Sequence, residues 1–241
     1  MPSATTTNTS QDRRLIWVLG IALVVVLITL VISLVRPAAS SSDSAATTPG
    51  ADGQGEALPD LSRRIEGNMT AIGEVDAPVV LIEFADYRCP FCAIFARESL
   101  PTLVEEYVDQ GKLRIEWRDV PVFGEESVAA AIAARAAGQQ DLYWEYNAAV
   151  YAYTERDNQP LPRERLIEIA TAVGVPDMAA FEAGLDDPEL AEQVARDAAE
   201  AESLGIRSTP TFVIGQTPIM GAQPVGVFAE AIDEELARMG L

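Results

Sequence analysis

Val79–Ala93 reads VVLIEFADYRCPFCA, and the fold follows from how that stretch is parsed. Val79, Val80, Leu81, Ile82 and Phe84 form an apolar, β-branched run of the length of a buried strand, broken near Asp86. Beyond Cys92 the period changes: Ile94, Phe95, Leu100, Leu103, Val104 and Tyr107 recur at helical spacing. The pair Cys89 and Cys92 therefore sits where a strand hands over to a helix. At that junction unpaired backbone N–H groups and the positive end of the helix dipole favour a thiolate over a thiol. Pro90 suits the first helical position, where a missing N–H costs nothing. Cys92 falls one turn into the helix, within reach of Cys89 for a small disulfide ring.

The composition narrows the chemistry. These two cysteines are the only thiols among 241 residues, and there is no histidine. A disulfide between residues so close restrains the unfolded chain little, so a lone CxxC reads as a redox couple rather than a staple. Two thiolates are half a tetrahedral zinc site, and carboxylates would have to complete it, so no metal is expected. The missing histidine removes Ser-His-Asp and Cys-His catalysis. A formal charge of −20 argues against a nucleic-acid partner.

Upstream, residues 1–14 form a short polar tail ending in Arg13 and Arg14. Residues 15–35 carry no charge and, at about 21 residues, match a hydrocarbon core of about 30 Å. The two arginines predict a single-pass anchor in the cell membrane, with a cytoplasmic N-terminus and an extracytoplasmic remainder. A cleaved signal peptide, with Ala38, Ala39 and Ser40 as the cleavage region, is the competing reading. Residues 36–64, rich in Ala, Ser, Thr, Gly and Pro, predict a disordered linker, with the folded domain over 65–241.

Within the domain, Met69 to Ile72 reads as a short edge strand and Leu113 to Val120 as a second full strand. Pro101 is expected to kink the helix that follows the cysteines. From about 125 to 204 the sequence is almost wholly helical, with its tyrosines and tryptophan expected to pack internally. Thr211 to Ile214 and Thr217 to Met220 read as a hairpin. A last amphipathic helix, Pro224 to Met239, buries Val227, Phe228, Ala231, Ile232 and Leu236.

That order, with CPFC after an apolar strand and Thr209-Pro210-Thr211-Phe212 opening a later one, resembles the exported DsbA-like thiol–disulfide oxidoreductases. The resemblance covers about residue 65 to the end and implies an α/β thioredoxin fold with a helical insertion at 125–204. It implies that Pro210 is cis and lies against the active-site disulfide, presenting neighbouring backbone to an extended substrate. Thr209 would sit near the thiols, and substrate contact would fall to Thr209, Pro210, Pro90 and Phe91. Cys89 and Cys92 would be catalytic. Glu83 would be a buried acid that takes and returns the proton of Cys92 through water. Phe91 departs from the family's CPHC pattern: a phenyl ring cannot donate a hydrogen bond to the thiolate, so a less oxidising couple is expected. The resemblance further implies exported protein thiols as substrates, a quinone-linked membrane oxidase as redox partner, and no cofactor. A reductase running the same chemistry in reverse, and a non-catalytic tethered peptide-binding or redox-sensing module, are the alternatives.

Overall fold

The computed structural model describes residues 59–154 and 159–241. The predicted tail 1–14, the predicted anchor 15–35 and the linker up to residue 58 lie outside the described residues. Among the described residues no helix is long and apolar enough to cross a membrane.

Five strands form one sheet: β1 Ala71–Ile72, β2 Val79–Ala85, β3 Leu113–Asp119, β4 Thr211–Ile214 and β5 Thr217–Met220, in the order β1-β3-β2-β4-β5. Only β2 and β3 are parallel, and the other three pairings are antiparallel. The central strand β2 is hydrogen-bonded on both sides and buried at every position, which is why it reads as a continuous apolar run. Because side chains alternate, Val79 and Leu81 join a core with Phe95, Leu103, Phe212, Phe228 and Ile232, while Val80, Ile82 and Phe84 meet Val213 and Ala201 on the other face.

After β2 the chain enters α1, Pro90–Glu98, which ends at Ser99, and restarts as α2, Leu100–Leu103. Pro101 lies in that restarted turn, at the predicted break. A π-helical turn, Val104–Val108, leads on toward β3. Between β3 and β4 come the inserted helices: α3 Glu125–Gly138, α4 Tyr143–Thr154, α5 Arg163–Val173, α6 Met178–Gly184 and α7 Pro188–Ser203. The insertion packs through small residues. Six alanines of α3 are buried, and a Cβ placed on Gly184 of α6 would come within 2.8 Å of the Ala136 Cβ. Tyr143, Tyr146 and Tyr151 are buried, as internal packing requires. The closing helix α8, Val225–Met239, buries Phe228, Ala231, Ile232 and Leu236, whereas Val227, expected on that face, is 39% exposed.

One feature departs from the sequence reading. Residues 61–64, assigned to the linker, are fastened to the domain. The backbone N–H groups of Arg63 and Arg64 donate to the two carboxylate oxygens of Glu116, both at 2.9 Å, and the Leu61 carbonyl accepts from Arg118. Arg114, Glu116 and Arg118 are buried, with Glu116 held between the two arginines. Those four donors hold its carboxyl at about 2 against the opposing effect of burial. Residues 61–64 thus belong to the folded unit, because the buried carboxylate of β3 takes its remaining hydrogen bonds from that segment.

Candidate active site

Cys89 caps α1. Its backbone is extended, Pro90 follows in the first turn, and its Sγ accepts the Cys92 N–H at 3.4 Å. The thiol is pulled down to about 6, first by the hydrogen bond from the Cys92 thiol, then by the Thr209 side chain and the backbone N–H groups of Cys92 and Phe91, against the opposing effect of burial. The helix terminus is therefore one contributor to this acidity, behind the partner thiol. Cys92 is 0% exposed, and burial pushes its thiol well above the ordinary range, with the Cys89 and Glu83 charges adding to the effect. The two free thiols are thus electrostatically unlike, one held ready to ionise and the other held neutral.

The Thr209–Pro210 peptide bond is cis, and it brings the Thr209 carbonyl to 3.2 Å from the Cys89 Sγ, where it accepts the thiol. The later TPTF segment and the CPFC turn, 120 residues apart, therefore meet at one atom. This contact also shelters the sulfur. Cys89 is only 2% exposed, with the Thr209 carbonyl against its sulfur, and the chain reaches the surface at its next two residues, Pro90 and Phe91, the latter 58% exposed. The Pro210 carbonyl accepts the Gly221 N–H at 2.8 Å.

Glu83 sits opposite Trp117 on β3 and Phe212 on β4, in the middle of the sheet, so it has no edge through which to reach solvent. It lies on the strand face of Leu81, toward α1, and neither carboxylate oxygen has a hydrogen-bond partner in the structure. Burial, with the Cys89 charge second, pushes it up to about 8, so near neutrality this acid holds its proton.

Three residues that the motif reading passed over also shape the site. Asp86, 2% exposed, accepts the Arg88 N–H at 2.7 Å on one carboxylate oxygen and the Phe123 N–H at 3.1 Å on the other. Val122 and Phe123, on the loop after β3, are about half exposed beside the cysteine turn. The signal for Asp86 was an acid flanked by core residues. The other two give no local signal, since an exposed apolar residue in a loop is common. Arg88 pairs with Glu126 at 2.7 Å. Among the described residues no group of three or more Cys, Asp or Glu is placed to hold a metal ion.

With this geometry established, the comparisons with known proteins become specific. A family model described as thioredoxin matches residues 66–234. The chain is 28% identical over 172 residues to a Bacillus anthracis protein described as a probable disulfide bond formation protein D, covering 70% of this chain and 78% of that one. It superposes on oxidised BdbD of Bacillus subtilis with a TM-score of 0.66 at 25% identity, over 72% of this chain and 95% of that one. Wolbachia pipientis alpha-DsbA1, at 24% identity and a TM-score of 0.60 over 70% and 91% of the two chains, shares the fold.

Proposed function

The chain belongs to the thioredoxin family matched over residues 66–234, and from that premise we propose that it is a thiol–disulfide oxidoreductase forming disulfides in exported proteins. The observation that carries this reading is the asymmetry of the pair: Cys89 capping a helix with its thiol at about 6, against Cys92 sealed below it. In the oxidised enzyme a substrate thiolate attacks the Cys89 Sγ. The Cys89–Cys92 bond breaks, a substrate–Cys89 disulfide forms, and Cys92 leaves as a thiolate. A second substrate thiolate then attacks the substrate sulfur of the mixed disulfide and expels the Cys89 thiolate. The substrate has lost two electrons, and the enzyme holds them as its dithiol. Because the Cys89 thiolate is stabilised, the reduced enzyme is favoured, which drives electrons from substrate to enzyme rather than in reverse.

Glu83 supplies the proton. The Cys92 thiolate expelled in the first step is a stronger base than the Glu83 carboxylate, so the proton moves from Glu83 to Cys92 and returns on reoxidation. The extended substrate lies across Pro90 and Phe91 and bonds to the backbone of Thr209 beside Pro210. Phe91 makes the couple less oxidising than a CPHC site. Residues 15–35 anchor the chain in the cell membrane with the N-terminus cytoplasmic, and the domain acts outside. A quinone-linked membrane oxidase, the natural electron acceptor for a tethered oxidant, reoxidises it.

Two measurements test this reading. After reduction, iodoacetamide labels Cys89 with a pH midpoint near 6 and leaves Cys92 unlabelled in the folded protein, whereas equal or slow labelling of both thiols indicates a binding module. The second concerns Glu83. Its folded-state value of about 8 lies above the ordinary 4.5, so between those limits the folded state holds a proton that the unfolded chain has released. Stability therefore falls as pH rises from 4.5 to 8, by on the order of 3–5 kcal/mol in all. Glu83→Gln removes that decline from urea-denaturation free energies and slows turnover at pH 7. A variant with the wild-type slope and rate would remove Glu83 from the cycle.

A further inference from the structure

Asp86 is a buried acid for which the thiol chemistry has no direct use, yet three elements converge on it. Its side chain takes the Arg88 N–H from the turn entering α1 and the Phe123 N–H from the loop between β3 and α3. Its own carbonyl accepts the Cys89 N–H and the Tyr151 hydroxyl of α4, both at 3.1 Å. One residue therefore fixes the backbone on either side of the nucleophile. A carboxylate fits this task because it offers two oxygens and no hydrogen, so two N–H donors from different segments can be joined through one group. The Arg88–Glu126 ion pair spans the same gap, from the turn to the first residues of α3. The turn carries exposed Phe91, and the loop carries exposed Val122 and Phe123.

We propose that Asp86 is a positioning residue for thiol exchange: its carboxylate locks the turn presenting Cys89 to the loop presenting Val122 and Phe123. Nucleophile and apolar rim then hold one fixed relation when a cysteine-bearing peptide arrives. The proposal rests on Cys89 being the nucleophile. Without the lock, Arg88 and Cys89 are free to shift, and the Sγ loses its alignment with the N–H groups of Phe91 and Cys92. The ionisable neighbours of the turn are Glu83 on β2, Arg88 with Glu126, Tyr151 on α4 and Cys92 itself. Burial raises the Asp86 carboxyl, while the Arg88, Ser127, Phe123 and Val122 donors pull it down.

The test is the pH profile of iodoacetamide labelling at Cys89 in the reduced full-length protein, wild type against Asp86→Asn. Asparagine keeps one acceptor and turns its NH2 toward the other N–H. The expected result is a labelling midpoint raised by at least half a pH unit, about a threefold lower rate at pH 5.5. The KM for a cysteine peptide with a neighbouring leucine should rise as well. The sign is decisive, because an acid acting only through its charge would, when neutralised, lower the midpoint. A lowered or unchanged midpoint, even with a reduced melting temperature, overturns the proposal. Asp86→Ser, which keeps a single small acceptor, should move the midpoint in the same direction and serves if the asparagine variant does not fold. A wild-type midpoint in the ordinary thiol range would instead remove the nucleophile assignment itself.

Discussion

Cys89→Ser abolishes thiol exchange. In an assay that follows oxidation of a dithiol peptide or reduction of insulin, the rate falls to that of the small-molecule thiol alone. The serine hydroxyl can form no bond equivalent to a disulfide, and Cys92 cannot take over. It is 0% exposed, its thiol is held well above the ordinary range, and no substrate sulfur can reach it without unpacking α1. Cys92→Ala should behave in the complementary way. Its Cys89 still attacks a substrate disulfide, but with no second enzyme thiol to release it the mixed disulfide accumulates and can be isolated. Full exchange activity in Cys89→Ser would end the nucleophile assignment.

The largest expected loss of stability comes from Arg135→Met, at the other side of β3. The Arg135 guanidinium reaches Asp119 at 2.6 and 2.8 Å and Asp197 at 2.5 Å, while the Trp117 indole N–H donates to the second Asp119 oxygen at 2.8 Å. Both carboxylates are 2% exposed or less. Methionine fills much of the volume but leaves Asp119 without its cation beside Asp197, which keeps only the half-buried Arg63 at 2.7 Å, and removing one partner of such a buried pair costs about 3–5 kcal/mol. Urea denaturation at pH 7 should show the midpoint falling with an unchanged slope. The deficit should shrink as pH falls, because Asp119 is already raised by burial and protonates readily. A loss below about 1 kcal/mol would mean that the cluster is solvated in solution.

These two variants also mark how far the sequence could be read. The CPFC turn was legible because its signals are local: a period that switches at Asp86, a proline at the first helical position, and a capping cysteine. TPTF added one distant partner through a known pattern, and the structure places it at 3.2 Å from the sulfur. The buried cluster of Arg114, Glu116 and Arg118 has no local signal, since alternating charge on a strand is equally the pattern of a wet face. Their burial depends on Arg63 and Glu200, tens of residues away on either side. Asp86 escaped notice for a related reason: its role depends on Phe123, 37 residues on, meeting the turn through space. The shelter over Cys89 comes from the Thr209 carbonyl, whose place near the thiols the TPTF pattern implied, while the depth to which the sulfur is covered depends on packing that no local pattern carries.

The seating of Leu61–Arg64 on Glu116 and Arg118 has a mechanical consequence. Tension on the chain ahead of Leu61 enters the domain at the middle of β3 and is shared with α7 through the Arg63–Asp197 pair. It is not transmitted first to the two-residue strand β1, which would peel easily, nor to the turn that holds the thiols. The fastening of the chain's entry is thereby kept apart from the turn that carries the two thiols.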